Sequence, residues 1–293
     1  GGVLIATDIS PHGQGNATTF AQIAADTLGV VIEDITVQWG DSHLIEPFGP
    51  GAGTYASRGL VIGGHAVHQT AEQLRESLVE TGARVLETSS ANIRISSGRI
   101  HSIQDPSHYL SIGQVACMMG DEFNGCEHYS TFTLPPGSFA FAMHVAYVEI
   151  DIETGHVQVK DFTAVHDVGN LINPMIVNGQ IHGGIVQGFG EAMLEGISYA
   201  EDGRPNEWSF MDYSMPLAED LPKMKIETYA TEARNGALGV RGIGEMPSVT
   251  APVVLANAVH DALSSIGASM VEIPLSQEKV WKAINATSGK AAD

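Results

Sequence analysis

The chain has 293 residues, of which 34 are acidic and 14 are basic, so its formal net charge is −20. Such an acidic surface repels phosphate backbones and anionic lipid headgroups, which argues against nucleic acids and membrane surfaces as partners. Hydrophobic residues make up 43% of the chain, enough for the core of one large or two smaller domains, and no apolar run approaches the roughly 20 residues of a membrane-spanning helix.

The amino-terminal residues predict a strand, a loop, a helix and a second strand. Residues 3–8 are strand-like, and residues 10–16 form a loop rich in turn formers. Asn16 is a suitable N-cap for a helix over residues 17–28, which Gly29 would end as a C-cap. Residues 30–39 alternate as a second strand. The Gly13-Gln14-Gly15 loop would therefore lie at the start of the helix.

The following segment combines an irregular stretch with a long helix. Residues 40–55 are rich in turn formers, and a loop of that length is usually functional or mobile. A helix over residues 59–86 contains Gly63 and Gly64, each of which weakens it by about 1 kcal/mol relative to alanine. This indicates that another group approaches its first turns closely. Residues 93–101 predict a hairpin, and residues 109–119 predict a short helix.

The carboxy-terminal half mixes strands and helices. Residues 141–152 and 157–165 predict a long hairpin, and residues 223–230 predict another strand. Residues 251–263 and 275–285 predict helices. A glycine-rich stretch, residues 177–190, has apolar side chains at helical spacing, namely Ile181, Ile185, Phe189 and Met193. A helix with so many glycines is intrinsically weak, so we expect tight packing or a ligand to compensate.

One carboxylate stands out because of its neighbours. Glu245 lies between Gly244 and Pro247, just before the apolar run that begins at Ala251. We expect a carboxylate on such a rigid turn to be poorly solvated, as a general base requires. The alternative is that Glu245 caps the helix, since acidic residues favour helix N-termini.

Several common sites are absent from the sequence. Neither glycine-rich stretch matches a nucleotide-binding loop, no His/Cys spacing resembles a zinc site, and there is no nucleophile elbow. Cys117 and Cys126 are too few for a disulfide scaffold or for an iron–sulfur cluster held by four thiolates. We expect reduced thiols and a cytoplasmic protein. The first residue is Gly1 rather than methionine, so we expect either a processed or truncated piece or a chain lacking its first residues.

Four stretches place backbone N–H groups and amide or hydroxyl side chains beside glycines. Together they would form a neutral cradle for an anionic, polar cofactor with a pyrophosphate or pterin portion. The stretches are Gly13-Gln14-Gly15, Gly53-Thr54-Tyr55-Ala56-Ser57-Arg58, His166-Asp167 with Gly179-Gln180, and Gly244-Glu245.

The order and spacing of these stretches resemble the molybdenum hydroxylase family of xanthine dehydrogenase, aldehyde oxidase and the large subunit of carbon monoxide dehydrogenase. The likeness is nearest to the carbon monoxide dehydrogenase-like branch. It covers nearly the whole chain and corresponds to the carboxy-terminal half of the molybdopterin-binding subunit. We therefore expect a split medium subunit, as in nicotinate dehydrogenase, or a piece of a longer polypeptide.

The resemblance implies an α+β fold of the xanthine dehydrogenase/aldehyde oxidase type, with mixed sheets, packed helices and two α+β subdomains. The first would cover residues 1–140, together with residues returning from the carboxy-terminal helices, and the second residues 141–293. Glu245 would be the catalytic base in the second subdomain. Molybdenum would be held through the pterin dithiolene, without a protein ligand. The implied cofactor contacts are Gln14, Gly15, Thr54, Ser57, Arg58, Asp167 and Gln180.

The implied activity is a molybdenum-dependent hydroxylase or dehydrogenase. It would hydroxylate an electron-poor carbon of an N-heteroaromatic, purine or aldehyde with oxygen derived from water, and carbon monoxide also remains open. The cofactor would be molybdopterin, in its cytosine dinucleotide form. Electrons would pass to a small [2Fe-2S] subunit and a flavin (FAD) subunit, and the other half of the molybdenum subunit would be a further partner. Two alternatives are a non-catalytic assembly subunit that keeps the fold, and an acidic binding domain without metal.

Overall fold

A computed structural model describes residues 2–45, 54–120, 126–133, 139–231, 233, 236–269 and 272–287. The chain forms two compact units, each assembled from three separate segments. Unit 1 comprises Gly1–Phe139, Gly169–Asn173 and Glu232–Gly242, and unit 2 comprises Ala140–Val168, Pro174–Thr231 and Ile243–Asp293. None of the helices in the described part of the chain is both long and apolar enough to span a bilayer.

Unit 1 begins with the predicted strand, helix and strand. Strands β1 (Val3–Thr7) and β2 (Ile35–Trp39) are parallel, and helix α1 (Asn16–Leu28) lies between them in the chain. Gly29 ends α1 as predicted, with a φ of 73° and its N–H donating to the Ala25 carbonyl at 2.9 Å. The N-cap prediction is wrong by one residue, because Gly15 occupies that position and Asn16 is already helical. The predicted second strand also begins late, because residues 32–34 form a 3₁₀ turn.

The helix predicted after the irregular stretch has a π-helical start. Residues Gly59–Gly64 form this segment, and α2 (His65–Val85) continues it. A Cβ atom at Gly63 would lie 2.8 Å from both Ile9 and the Phe20 ring of α1. The group expected to approach these glycines is therefore a core side chain of the same unit.

A small antiparallel sheet completes unit 1. Strands β3 (Ile93–Ser96) and β4 (Arg99–Ser102) form the predicted hairpin, and β5 (Tyr109–Ser111) pairs with β4. The prediction of helix over residues 109–111 is therefore wrong, because these residues pair with a strand that precedes them. Helix α3 (Ile112–Met119) begins with a capping box, in which Ser111 and Gln114 each accept a backbone N–H.

Unit 2 is built on a three-stranded sheet. Strands β6 (Phe141–Ile150) and β7 (Val157–Asp167) form the predicted hairpin, and β8 (Lys223–Tyr229) pairs with β7 in parallel. Helix α4 (Pro174–Met193) lies in the connection from β7 to β8, followed later by α5 (Met246–Ser264) and α6 (Gln277–Thr287). Helix α5 starts five residues before the predicted start, because Pro247 is tolerated in a first turn that needs no N–H donor.

Two of the α4 glycines allow close packing against α5. A Cβ atom at Gly184 would lie 2.7 Å from Pro247, and one at Gly188 would lie 2.7 Å from Pro252 and 2.8 Å from Ala251. All three distances are far below van der Waals contact. Tight packing, one of the two expected compensations for the weak helix, is thus confirmed in unit 2.

Alanine substitutions at two of the α4 glycines should change the stability of the protein in opposite directions. We expect Gly188→Ala to destabilise the protein by about 1–3 kcal/mol through overpacking. No atom lies within 4 Å of a Cβ atom at Gly179 or Gly183 in the described structure, so Gly183→Ala should stabilise it by about 0.5–1 kcal/mol. Thermal unfolding of the three proteins measures both effects, and a shift of the same sign for both variants would contradict the packing described above.

Candidate functional site

The loop that precedes α1 forms a polar network with Thr54. The Gln14 side chain accepts the His12 N–H at 2.6 Å, and its amide donates to the Thr54 hydroxyl at 3.4 Å. The Thr54 hydroxyl also lies 3.2 Å from Nε2 of His12. Two predicted cofactor contacts, Gln14 and Thr54, are therefore hydrogen-bonded although they lie 40 residues apart in the chain. His12 was not predicted and joins them.

The start of α1 presents unused hydrogen-bond donors. Its N-cap, Gly15, has a φ of 83° and supplies no side-chain cap, and the first turn contains no acidic residue. Asn16 is only 7% exposed, and its Nδ2 atom has no hydrogen-bond partner among the described residues. A Cβ atom at Gly59 would lie 3.0 Å from that nitrogen. A buried amide donor at a helix N-terminus is the arrangement that binds an anionic or carbonyl oxygen.

The segment after Thr54 has an unusual backbone. Ala56 and Ser57 both adopt left-handed conformations, with φ values of 54° and 55°, which non-glycine residues rarely do. Gly242 packs on this turn, since a Cβ atom there would lie 2.6 Å from the Ser57 carbonyl oxygen. The Arg58 guanidinium lies 5.3 Å from the centre of the Tyr55 ring. The expectation that Arg58 serves a cofactor stays a prediction.

Two further predicted contacts belong to unit 2. Asp167 ends β7, and its carboxylate accepts hydrogen bonds from the backbone N–H of Thr231, at 3.1 Å, and from the Thr231 hydroxyl. This pair joins the ends of the parallel strands β7 and β8. Gln180 is half-buried on α4. Their assignment as cofactor contacts stays a prediction.

Glu245 occupies the residue just before α5. It lies at the N-cap position, yet its side chain makes no capping hydrogen bond. Its carbonyl oxygen accepts the Ser248 hydroxyl at 2.8 Å and the Val249 N–H at 3.1 Å, so the turn is held through the backbone. The residue is exposed in this chain, so the expectation of a poorly solvated carboxylate is wrong for the chain by itself. Its position at the helix N-terminus is the one that the alternative predicted, although the side chain makes no capping hydrogen bond.

A buried histidine pair lies between β6 and β7. The Nε2 atoms of His144 and His166 are 2.9 Å apart, and the residues are 8% and 0% exposed. Burial lowers the pKa of each imidazole to about 4, and the neighbouring ring adds to the effect for His144. Both rings are therefore neutral near pH 7, and one donates Nε2–H to the other. Among the described residues, neither Nδ1 atom has a partner.

Sequence reasoning missed these histidines, although a signal existed. His144 and His166 interrupt otherwise apolar inward positions, next to Ala146 on β6 and Ala164 on β7. The hairpin register, once fixed by the turn at residues 153–155, brings the two positions close together. His12 carried no comparable signal, because its partner Thr54 is distant in the chain.

Comparisons with known proteins agree on one family. A family model described as a molybdopterin cofactor-binding domain matches residues 1–222. The large subunit of nicotine 6-hydroxylase from Paenarthrobacter nicotinovorans is 36% identical over 97% of this chain and 35% of its own length. The chain thus spans about a third of the length of such curated relatives.

Two solved structures share the fold. Quinoline 2-oxidoreductase from Pseudomonas putida 86 aligns with a TM-score of 0.85 and 35% identity, covering 97% of this chain and 37% of that chain. Carbon monoxide dehydrogenase from Oligotropha carboxidovorans aligns with a TM-score of 0.87 and 29% identity, covering 99% of this chain and 36% of that chain. The predicted α+β fold is therefore confirmed.

Proposed function

The chain belongs to the molybdopterin cofactor-binding domain family of the molybdenum hydroxylases, and on that premise we propose that it carries cofactor-binding and catalytic residues of such an enzyme. The proposed substrate is an N-heteroaromatic compound, hydroxylated at an electron-poor carbon with oxygen from water. Identity is 36% to nicotine 6-hydroxylase and 35% to quinoline 2-oxidoreductase, against 29% to carbon monoxide dehydrogenase. Purines and aldehydes are the next classes to assay.

The start of α1 carries the proposal most directly. An anionic group fits there because the helix N-terminus is uncapped, its first turn lacks acidic residues, and the buried Asn16 amide has a donor to spare. The network of His12, Gln14 and Thr54 fixes the side chains beside it. We propose that these groups bind the molybdopterin cofactor in its cytosine dinucleotide form. When bound, that cofactor supplies the two-electron oxidation.

The remaining contacts have more limited roles. Ser57 and Arg58 would bind polar groups of the cofactor from a turn whose backbone is already fixed. Gln180 would offer its side-chain amide for the same purpose. Asp167 would act indirectly, because its carboxylate is engaged with Thr231 and fixes the end of β7.

Glu245 is the proposed catalytic base. It would accept the proton released by the water that supplies the oxygen atom. Its turn is held by hydrogen bonds to the Glu245 carbonyl oxygen. A base must be shielded from water to be tuned toward neutral pH. In this chain the carboxylate is exposed, so the shielding surface would come from polypeptide outside it.

Partner subunits complete the proposed enzyme. Electrons must leave the cofactor, and Cys117 and Cys126 are too few to hold a cluster by four thiolates. We therefore propose a [2Fe-2S] subunit, a FAD subunit and the rest of the molybdenum subunit as partners. One relative is named as subunit gamma of the 6-hydroxypseudooxynicotine dehydrogenase complex.

Elemental analysis of the purified native complex tests the function. We expect molybdenum, iron and FAD together with this polypeptide, cytidine monophosphate after acid hydrolysis, and dye reduction with quinoline or nicotinate as substrate. A complex with molybdenum but no oxidation of any heteroaromatic, purine or aldehyde would indicate the assembly role instead. A complex without molybdenum would overturn the proposal.

Replacing Asn16 should affect stability and molybdenum content differently. Asn16→Leu removes a buried donor without a partner, so the free energy of unfolding should stay constant or rise by about 1–3 kcal/mol. Molybdenum content should fall, because the same donor is proposed to bind the cofactor. Calorimetry and metal analysis check the two effects.

Asn92→Leu is the matched control, since the Asn92 amide already donates to Thr88 at 3.4 Å. It should lose a little stability and keep its molybdenum. If both variants lost stability and molybdenum in parallel, Asn16 would be only a structural residue.

A further inference from the structure

Strand β6 has apolar side chains on both of its faces. Its inward positions include Ala146 and Val148, which pack against the core of unit 2. Its outward positions include Met143, Val145 and Tyr147, which are 68%, 52% and 65% exposed. A strand that faces water on one side normally alternates apolar and polar residues, whereas one buried on both faces is apolar throughout. From Met143 to Tyr147 the outward side chains of β6 are therefore those of a strand covered on both sides, and the exposed Glu149 follows at its end.

The exposed patch continues onto the neighbouring strand and then ends in charges. Val165 of β7 lies opposite Met143 in the register and is 38% exposed. Farther across the sheet, Glu227 lies opposite Val165, and Lys225 lies opposite Thr163. We call Met143, Val145, Tyr147 and Val165 the outer β6 face. A contiguous apolar patch rimmed by charged residues marks a protein–protein contact.

The nature of the patch indicates a permanent partner. Transient interfaces are about as polar as ordinary surface, whereas permanent ones resemble a domain core cut in half. The outer β6 face consists of four uncharged side chains in a chain whose net charge is −20, with the exposed Asp161 opposite Tyr147 at its edge. Its occupant must therefore present an uncharged, apolar surface and remain bound.

The greater length of the relatives indicates which polypeptide covers this face. This chain covers 35% of nicotine 6-hydroxylase large subunit and 37% of the quinoline 2-oxidoreductase chain. About two thirds of the corresponding polypeptide therefore lies outside it. We propose that an apolar face of that remaining part of the molybdenum subunit covers the outer β6 face. The inference rests on the proposed function only in assigning the chain to such a subunit.

Photo-crosslinking in the assembled complex identifies the occupant. Tyr147 is replaced by p-benzoylphenylalanine, the native complex is irradiated, and the linked peptides are read by mass spectrometry. We expect crosslinks to the remaining polypeptide of the molybdenum subunit. Crosslinks to the iron–sulfur subunit, to the FAD subunit or to residue 147 of a second copy would overturn the proposal, and so would the absence of any crosslink.

Charge substitution measures how much the patch contributes to association. Val145→Lys should lower recovery of the remaining molybdenum-subunit polypeptide with this chain by at least about tenfold, because a buried lysine is strongly disfavoured at an apolar interface. Leu4→Lys on β1 is the control, since Leu4 is a strand residue with similar exposure, 56%. It should leave recovery unchanged. Equal recovery with both variants would overturn the proposal.

Two further measurements distinguish a loss of this interface from a loss of folding and from a loss of the proposed function. The unfolding temperature of the isolated Val145→Lys chain should match that of the unmodified chain, because position 145 is already half exposed. A large loss of stability would show that Val145 belongs to the internal core, and it would also overturn the proposal. Molybdenum content reports on the proposed function independently. A complex that contains molybdenum but leaves residue 147 uncrosslinked rejects this interface and leaves the proposed function standing.

Discussion

Glu245→Gln is expected to lower the turnover of the assembled enzyme by about 10²–10⁴-fold, the usual contribution of a general base. Glutamine keeps the size and polarity of the side chain but cannot accept a proton at neutral pH. The turn itself is held by hydrogen bonds to the carbonyl oxygen of Glu245, and these survive the substitution. Molybdenum and FAD content should therefore stay at the level of the unmodified complex.

The control for this experiment is Glu201→Gln, which alters an exposed glutamate in another turn of unit 2. It should leave turnover unchanged. Steady-state kinetics with a dye acceptor, together with metal analysis, measures both variants. If Glu245→Gln turned over normally with full molybdenum content, the catalytic assignment of Glu245 would be rejected. A parallel loss of molybdenum and turnover would instead indicate a structural role.

The second large effect concerns acid stability. His144 and His166 have pKa values of about 4 in the folded protein, whereas unfolded histidine titrates near 6.5. The unfolded state therefore binds more protons between these values. Stability should be fully present above pH 6.5 and fall as the pH drops toward 4, by on the order of 1.4 kcal/mol per pH unit for each imidazole.

Unfolding midpoints between pH 7.5 and 4 test this expectation. His144→Leu combined with His166→Leu removes both titrations and should flatten the decline over that window. His260→Gln, which alters an exposed histidine on α5, should leave the decline unchanged. A double variant that loses stability as steeply as the unmodified protein would show that the buried pair does not govern the acid response.

Local patterns predicted most elements of the fold. The helical spacing of Ile181, Ile185 and Phe189 indicated α4, and Gly29 indicated where α1 ends, because both features depend on near neighbours in the chain. Strand β5 was missed because its three residues are ordered by pairing with β4. The early start of α5 was missed because an apolar run does not show where the first turn begins.

The site was predictable in part for a similar reason. The glycine-flanked motifs indicated Gln14 and Thr54, and the structure brings these two together. The left-handed backbone at Ala56 and Ser57 was not predictable, because residues of these types rarely adopt it without support from the rest of the fold. The partnership of His144 with His166 depends on strand register, a non-local property.

The alternation of segments between the two units has a consequence for synthesis of the protein. The last piece of unit 1, Glu232–Gly242, is translated after most of unit 2. Unit 1 therefore cannot be completed on the ribosome until Gly242 has been added, by which time the segments Ala140–Val168 and Pro174–Thr231 of unit 2 have already been made. Domains arranged end to end can fold in order of emergence, whereas here most of unit 2 emerges before unit 1 is complete, and no single cleavage of the backbone yields either unit intact.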